Sequence, residues 1–311
     1  MKVAVLGSQR RDPTVRRAAE ALGLADGRIA LVTAGWQERE PEDTELSSHL
    51  GEHTINLMLH RRADDIFKRD PEFAQAYRAR QIRYRRIQDF YRIRLEYLIE
   101  SAKVISHRVA PQDLLDEELQ SSVSAIRMLD RHHQRQCTRV RNEFRDAWNP
   151  ASRPIVQEHR LELREMLDSC AGLAIAGGHV ASLLNRLQLL GIDELWGNRP
   201  LLGWSGGAMV LMEHVVLFHD SPPQGVDAPQ LLDVGLARVD GLIVLPQPES
   251  RLRLDDRERM SMYARRFGPS LCLGLPRRSW AIFEDGRLQE AHGTLRVELD
   301  GTVSNLGEPL S

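Results

Sequence analysis

The segment from Thr54 to Trp148 contains almost no glycine and little proline, and few of its residues form strand-like runs. Its apolar residues recur at three-, four- and seven-residue steps, which places them on one face of an α-helix. They are Phe73, Tyr77, Tyr84, Ile87, Tyr91, Leu95 and Leu98, then Leu115, Leu119, Ile126, Val140 and Phe144 beyond a break at Ala110-Pro111. The pattern predicts two long antiparallel helices. Because roughly 30 helical residues span about 45 Å, we expect this hairpin to project from its domain or to clasp a partner subunit.

The residues on either side of this segment alternate between strand-like and helix-like patterns. The strands are predicted at 2–6, 29–33, 173–176, 201–203, 242–245 and 271–275, the helices at 15–22, 181–190, 208–213 and 257–267, and a closing antiparallel group at 279–283, 295–299 and 303–305. Strands joined by helices imply a mostly parallel sheet that helices cover on both faces. The predicted division is residues 1–53 as the first part of an α/β domain, 54–150 as the inserted hairpin and 151–311 as the second part.

Composition and charge bear on the class of protein. An apolar fraction of 42% with 28% charged residues is globular rather than disordered. The net charge of −2 gives no global attraction to nucleic acid or to an anionic membrane. No run reaches the roughly 18 apolar residues of a membrane helix, and the apolar N-terminal run is too short for a signal peptide. The scattered cysteines Cys137, Cys170 and Cys272 are typical of packed thiols in a reducing compartment. We expect a cytoplasmic protein with no cofactor.

The sequence of the helical segment leaves open whether this segment binds a partner. Its first half is crowded with arginines: Arg78, Arg80, Arg83, Arg85, Arg86, Arg92 and Arg94. They are typical of a solvated face paired with acids such as Asp89 and Glu96, but they are also compatible with a docking surface for an acidic partner or nucleic acid. His132-His133 does not predict a metal site, because adjacent helical residues do not share a face.

One glycine-rich turn has the pattern of a nucleophile elbow. Gly203-Trp204-Ser205-Gly206-Gly207 follows an apolar strand and opens an apolar helical run, which is the context that a G-x-S-x-G elbow requires. Glycines flank the serine because the sharp turn strains its backbone and brings neighbouring backbone close. The Gly206 N–H can then help to hold an oxyanion. A glycine-rich tight turn without chemistry is the alternative.

A second turn supports this interpretation. Ala176-Gly177-Gly178-His179 also ends a strand and precedes a helix, and ligand sites of open parallel sheets lie at those carboxyl ends. With one helix between them, the two turns are predicted on adjacent strands, so that Gly178 can offer a second oxyanion N–H. The alternative is a turn that merely needs a positive φ.

With both turns in place, the chain resembles the cyanophycinase and peptidase E family of serine peptidases. The resemblance rests on Gly177-Gly178, the leucines Leu183, Leu184 and Leu187, the serine elbow, and Gly235-Leu236 leading into Gly241-Leu242-Ile243-Val244. It covers residues 170–305 well and 1–36 loosely, and excludes the helical segment. It implies a three-layer, mostly parallel α/β sheet that is flavodoxin-like and class I glutamine amidotransferase-like. The family elbow usually reads G-x-S-A-G-A, so Gly206 replaces an alanine.

The resemblance also implies chemistry, with one departure. It implies hydrolysis of small acidic peptides at aspartyl or β-aspartyl bonds without a metal, with Ser205 as nucleophile, Gly178 and Gly206 as oxyanion donors, and Asp220 as the nearest match for an acidic residue after the elbow. The family's general base, a histidine, corresponds to Gln247 in this chain. Glutamine cannot accept a proton from a hydroxyl, and a serine without a base is a poor nucleophile.

Several residues are candidates for the missing general base and for binding the substrate. His179, at the mouth of the neighbouring strand, is the best-placed substitute base, and His214 and His219 are the others. Two arginines that follow Gln247, Arg251 and Arg253, are expected either to bind a substrate carboxylate or to pair with Asp255 and Asp256.

Three functions therefore stay open. One is a serine peptidase with a non-standard base, the second a catalytically impaired pseudoenzyme that binds a peptide or small acidic ligand, and the third a scaffold acting through its hairpin. A glutaminase is disfavoured because amidotransferases of that fold need cysteine at the elbow. A homodimer is also expected, because the long apolar seam of the hairpin exceeds what one small domain covers.

Overall fold

The computed structural model describes residues 1–10, 12–218 and 229–307. Its strands are β1 (Lys2–Leu6), β2 (Ile29–Val32), β3 (Thr54–Asn56), β4 (Gly172–Ile175), β5 (Leu201–Trp204), β6 (His214–Leu217), β7 (Gln230–Val234), β8 (Leu242–Pro246), β9 (Leu271–Leu275), β10 (Trp280–Glu284), β11 (Arg287–His292), β12 (Thr294–Val297) and β13 (Val303–Leu306).

The helices alternate with these strands in the first 70 residues and again after residue 150. They are α1 (Val15–Ala21), α2 (Thr44–His49), α3 (Leu59–Arg69), α4 (Pro71–Ser106), α5 (Gln112–Trp148), α6 (Pro154–Asp168), α7 (Val180–Leu190), α8 (Ile192–Trp196), α9 (Gly206–Leu211), α10 (Pro248–Arg251) and α11 (Arg257–Phe267), with 3-10 turns at Ala34–Arg39 and Pro150–Ser152.

The central sheet is mixed but mostly parallel. Within the described residues it has seven strands in the order β11-β10-β1-β5-β4-β2-β3. The five from β1 to β3 run parallel, and β10 and β11 extend the sheet in antiparallel fashion. The parallel strands thus have the order 3-2-4-5-1, which differs from the 2-1-3-4-5 order of flavodoxin-like sheets. The expected α/β class with a central, mostly parallel sheet is confirmed.

The remaining strands form two smaller sheets. Strands β8 and β9 pair in parallel and continue through β12 to β13 in antiparallel fashion, while β6 and β7 form a separate antiparallel pair. Strand β8, which ends just before Gln247, is therefore hydrogen-bonded into a different sheet from β5, which ends at the elbow.

Helices cover both faces of the central sheet. Along β1, Val3 and Val5 join one hydrophobic core, while Ala4 and Leu6 join the other, as the two-residue period of a strand requires. The smaller core packs under α1 and α2, and the larger one packs under α3, α6, α7 and α9. The molecule is therefore a three-layer α/β structure.

The long helical hairpin is present, but it begins later than the sequence predicts. It consists of α4 and α5, joined at their base by packing of Phe73 and Tyr77 against Phe144. The predicted start at Thr54 is corrected to Pro71, because β3 pairs with β2 in the central sheet and α3 packs on that sheet. Asp70 separates α3 from α4, since its side chain accepts a hydrogen bond from the Phe73 N–H and caps α4.

The hairpin lies along the α/β domain rather than projecting from it. Arg266 on α11 is 4% exposed, and its guanidinium donates to both carboxylate oxygens of Asp130 on α5, at 2.7 and 2.8 Å. It also donates to the Tyr91 hydroxyl on α4 at 2.8 Å. Near the hairpin tip, His107 lies 3.7 Å from Glu258 at the start of α11. The expectation of a projecting hairpin is corrected, because much of its apolar face is buried against its own chain.

No described helix combines the length and apolarity needed to cross a membrane.

Candidate active site

Four parallel strands end at one edge of the central sheet and enclose a cavity of about 460 Å³. Residues that follow β1, β2, β4 and β5 line it, including Arg10, Trp36, Gly178 and Ser205. Parallel strands share the direction of their carboxyl ends, so turns that are distant in sequence meet at this edge. The structure therefore brings the two predicted turns into one cavity.

Ser205 has the strained backbone of an elbow. It follows β5 directly and precedes α9 with φ 51° and ψ −122°, a conformation that costs a non-glycine residue on the order of 1–3 kcal/mol. The flanking glycines permit the close packing that holds it. A β-carbon at Gly207 would lie 2.0 Å from the Ile175 carbonyl oxygen, and one at Gly203 would lie 2.9 Å from that of Gly207. The predicted strand-to-helix elbow with a strained serine is confirmed.

The Gly177-Gly178 turn lies directly beside the elbow, as predicted. Strands β4 and β5 pair as parallel neighbours. A β-carbon built on Gly206 would lie 3.5 Å from the Gly178 nitrogen, so the two turns are in contact. In the described part of the chain, neither the Gly178 N–H nor the Gly206 N–H donates to another protein group. Two backbone donors are thus available beside Ser205.

His179 is held in a different role from the expected one. Its ring Nδ1 accepts the Ser182 N–H at 3.1 Å and thereby caps α7. An accepting Nδ1 places the proton of the neutral ring on Nε2, so neither nitrogen is left to accept a proton from a serine. His179 is exposed and does not line the cavity.

The other expected catalytic positions are not brought into the cavity either. His214 begins β6, beyond the elbow helix, and its Nδ1 lies 2.7 Å from the side-chain amide of Gln134 on the hairpin. Gln247 follows β8 in a left-handed conformation, φ 55° and ψ 48°, and is not a lining residue. His219 and Asp220 lie outside the described residues.

The arginines expected to bind substrate also lie elsewhere. Arg253 is exposed, and Arg251 is half-buried in α10, where burial lowers the pKa of its guanidinium. Neither lines the Ser205 cavity. The Asp256 carboxylate caps α11 by accepting the Arg259 N–H.

Residues from the first 50 positions supply the cavity with charged side chains and an imidazole that sequence reasoning missed. His49 and Glu45 are four residues apart on α2 and both line the cavity. Arg10 and Arg39 line it as well. Arg39 pairs with Glu42 at 2.6 Å, while Arg10 has no ion-pair partner among the residues that the structure describes. The one available signal was the four-residue spacing of Glu45 and His49, which is common on helices.

The loop after β1 holds Arg10 at the cavity. Gln9 is buried, its side-chain amide donates to the Gly7 carbonyl at 3.1 Å, and its oxygen accepts the Thr14 N–H at 2.7 Å. These bonds fix the backbone on one side of Arg10. The backbone that precedes Arg10 is therefore anchored.

No family model matches the chain, and no curated protein matches its sequence. Among solved structures, it is similar to the crystal structure of a peptidase from an acI-B1 Actinobacterium, with 14% identity and a TM-score of 0.46 over 99% of this chain and 94% of that one. A candidate peptidase E protein from Listeria monocytogenes EGD-e matches 44% of this chain and 65% of its own, with 16% identity and a TM-score of 0.30.

Proposed function

We propose that the chain is a serine hydrolase of the peptidase E type that cleaves small acidic peptides at aspartyl or β-aspartyl bonds. One observation carries the proposal: Ser205 has a strained elbow conformation in a cavity where two backbone N–H groups are unused. Strained non-glycine residues persist only where the surrounding structure imposes them, and they concentrate at functional sites.

The chemistry follows from the two turns. The Ser205 hydroxyl oxygen attacks the scissile carbonyl carbon, and the carbonyl oxygen becomes an oxyanion. The N–H groups of Gly178 and Gly206 donate to that oxyanion, and each such donor is typically worth about 10²–10³-fold in rate. Collapse of the tetrahedral intermediate expels the amine and leaves an acyl-serine, which water then hydrolyses.

We assign the general base to His49. It is the imidazole that lines the Ser205 cavity within the described residues, whereas His179 has its Nδ1 engaged as a helix cap and Gln247 cannot carry a proton at neutral pH. His49 would accept the Ser205 proton and return it to the leaving amine. Glu45, one helical turn earlier on α2, lines the same cavity.

The preference for acidic substrates is supported by one cation of the cavity, Arg10. Arg10 is an arginine without an ion-pair partner in the described chain, and it lies at the same strand edge as Ser205. A guanidinium matches the two oxygens of a carboxylate. Trp36 provides an apolar wall of the same cavity.

A binding function without cleavage is the second candidate. Gln247 favours it, because it occupies the position of the histidine in the family that the sequence resembles. In that case the cavity would hold an acidic peptide while Ser205 behaves as an ordinary hydroxyl.

A fluorophosphonate probe and an aspartyl dipeptide test both candidates. The wild type should be labelled and should hydrolyse the dipeptide, Ser205→Ala should do neither, and Ser8→Ala, a control at another serine of the cavity, should do both. Dipeptide binding by calorimetry without labelling would favour the binding function. A wild type that neither labels nor binds would contradict both.

A further inference from the structure

The outer face of α4 has a stripe of large apolar side chains that its own chain leaves exposed. The members of this α4 stripe are 46, 69, 54, 72 and 45% exposed, in the order Ile82, Phe90, Ile93, Tyr97 and Val104. At 100° per residue they fall within about 80° of one another around the helix. Single exposed apolar residues are ordinary, but a contiguous row marks an interaction site.

This stripe is separate from the face that docks the hairpin. Tyr91, Leu95 and Ala102 are buried, and they lie on the opposite side of α4 by the same helical geometry. The seam with α5 and the contacts to α11 therefore use one side of α4. The exposed side is left for another partner.

Charged residues within the stripe indicate which partner. Arg86 and Glu100 lie on the same face, each seven positions from Ile93, the first toward the N-terminus and the second toward the C-terminus. The side chain of neither residue forms an ion pair or a hydrogen bond in the described part of the chain. Ile82 and Val104 are likewise placed symmetrically about Ile93. A second α4, turned end for end about a two-fold axis at Ile93, would set Arg86 opposite Glu100, Ile82 opposite Val104, and Ile93 opposite its own copy.

We propose that the α4 stripe is the interface of a homodimer in which two α4 helices pack antiparallel, centred on Ile93. Arg86 then pairs with Glu100 of the partner subunit, and the symmetry supplies the same pair twice, as in an isologous contact. Parallel packing would set Arg86 against its own copy. The charges therefore select the orientation, as polar residues do in helix pairs. This proposal is independent of the chemistry at Ser205.

Sedimentation equilibrium tests the interface. The wild type should be dimeric at concentrations on the order of 50 μM, and Ile93→Glu should raise the dissociation constant at least about 30-fold, as expected for a central interface residue. Leu161→Glu is the matched control, because Leu161 is 62% exposed on α6 and lies outside the stripe. It should dimerise like the wild type.

The orientation has its own test. Arg86→Glu and Glu100→Arg should each weaken the dimer, and the double variant should restore it, which parallel packing does not predict. Ile93→Cys should form a disulfide-linked dimer on oxidation, whereas Met128→Cys on α5 should not; the native cysteines are buried. A monomeric wild type, a dimer insensitive to Ile93→Glu, or the absence of cross-linking at position 93 would overturn the proposal. Circular dichroism checks that each variant is folded.

Discussion

A β-carbon at Gly177 would lie 2.8 Å from the β-carbon of Ser205, 3.2 Å from the Trp204 carbonyl oxygen and 3.3 Å from the Gly206 nitrogen. Gly177 thus packs directly against three successive residues of the elbow. Gly177→Ala should displace Ser205, and because small misplacements of a reacting group cost about 10²-fold in rate, we expect kcat/KM for the dipeptide to fall by about that factor.

The control for this substitution is Gly197→Ala. Gly197 has φ +67°, and a β-carbon there would meet no atom within 4 Å. Only the backbone conformation, φ 67° and ψ −139°, should then cost stability, about 1–3 kcal/mol, with kcat/KM unchanged. Equal activity of Gly177→Ala and the wild type would show that the Gly177-Gly178 turn does not position Ser205.

A second prediction concerns the general base. His49→Gln should lower kcat/KM by about 10²–10⁴-fold, the contribution of a positioned base. Because His49 is only half-buried, the melting temperature should change little. Steady-state kinetics measure the loss in kcat/KM, and thermal denaturation measures the melting temperature.

Two comparison variants distinguish His49 from the other candidates. His53→Gln, an exposed position outside the cavity, should keep wild-type activity. Gln247→His should change the rate little, because Gln247 does not line the Ser205 cavity. A rise by orders of magnitude would contradict the assignment of His49.

The buried network between hairpin and domain leads to a third prediction. Asp130→Ala removes the carboxylate that accepts two hydrogen bonds from the 4%-exposed Arg266, leaving a buried charge without its counter-ion. Breaking such a pair typically costs about 3–5 kcal/mol, so urea denaturation should give a free energy of unfolding lower by that amount.

The matched control is the exposed pair of Arg257 and Asp300, whose side chains are 65% and 60% accessible. Arg257→Ala should leave the free energy of unfolding essentially unchanged, since solvent screens such a pair. Similar destabilisation by both variants would mean that burial does not determine how much stability is lost when an ion pair is broken.

His133 makes stability depend on pH. It is buried, its ring stacks on Tyr91 at 4.2 Å, and its Nε2 lies 3.3 Å from the Leu232 carbonyl oxygen. Burial lowers the pKa of His133 below its ordinary value of 6.5, although the carboxylates of Asp233 and Asp130 partly oppose this shift.

The sign of the effect follows from proton uptake. Below about pH 6.5 the unfolded chain binds a proton at His133 that the folded chain does not, so stability falls as the pH drops from there toward the lower folded pKa. Its slope is at most about 1.4 kcal/mol per pH unit. Urea denaturation at pH 7 and pH 5 should show a smaller loss for His133→Gln than for the wild type or for His132→Gln. Equal losses in all three proteins would contradict the prediction.

The hairpin and the elbow could be predicted because their signals are local. Helical spacing over many turns leaves few alternatives, and a strained serine needs its glycines immediately beside it. The boundary at Pro71 was missed because α3 continues the helical spacing up to Asp70, and because β3 has only three residues, Thr54–Asn56, with no run long enough to indicate a strand.

The rest of the site depends on tertiary placement. His49 lies more than 150 positions before Ser205, and only the order of β2, β4 and β5 in the sheet brings α2 to the same edge. His179 illustrates the converse error. It follows a strand end next to the elbow, but the start of α7 uses its imidazole to satisfy the Ser182 N–H, a local requirement that outweighs proximity.

The pairing of hairpin and domain also bears on how an insertion can be lost. The chain enters and leaves the hairpin at nearly one place, since the Arg153 guanidinium donates to the Asp70 carboxylate across its base at 3.0 Å, so a short loop would suffice to close the gap. Such a deletion would remove Asp130 and Tyr91, which bind Arg266. It would also uncover the Arg266 guanidinium, which is 4% exposed beneath the hairpin, so that water would replace the lost partners. Arg266 therefore does not by itself prevent the loss of the insertion.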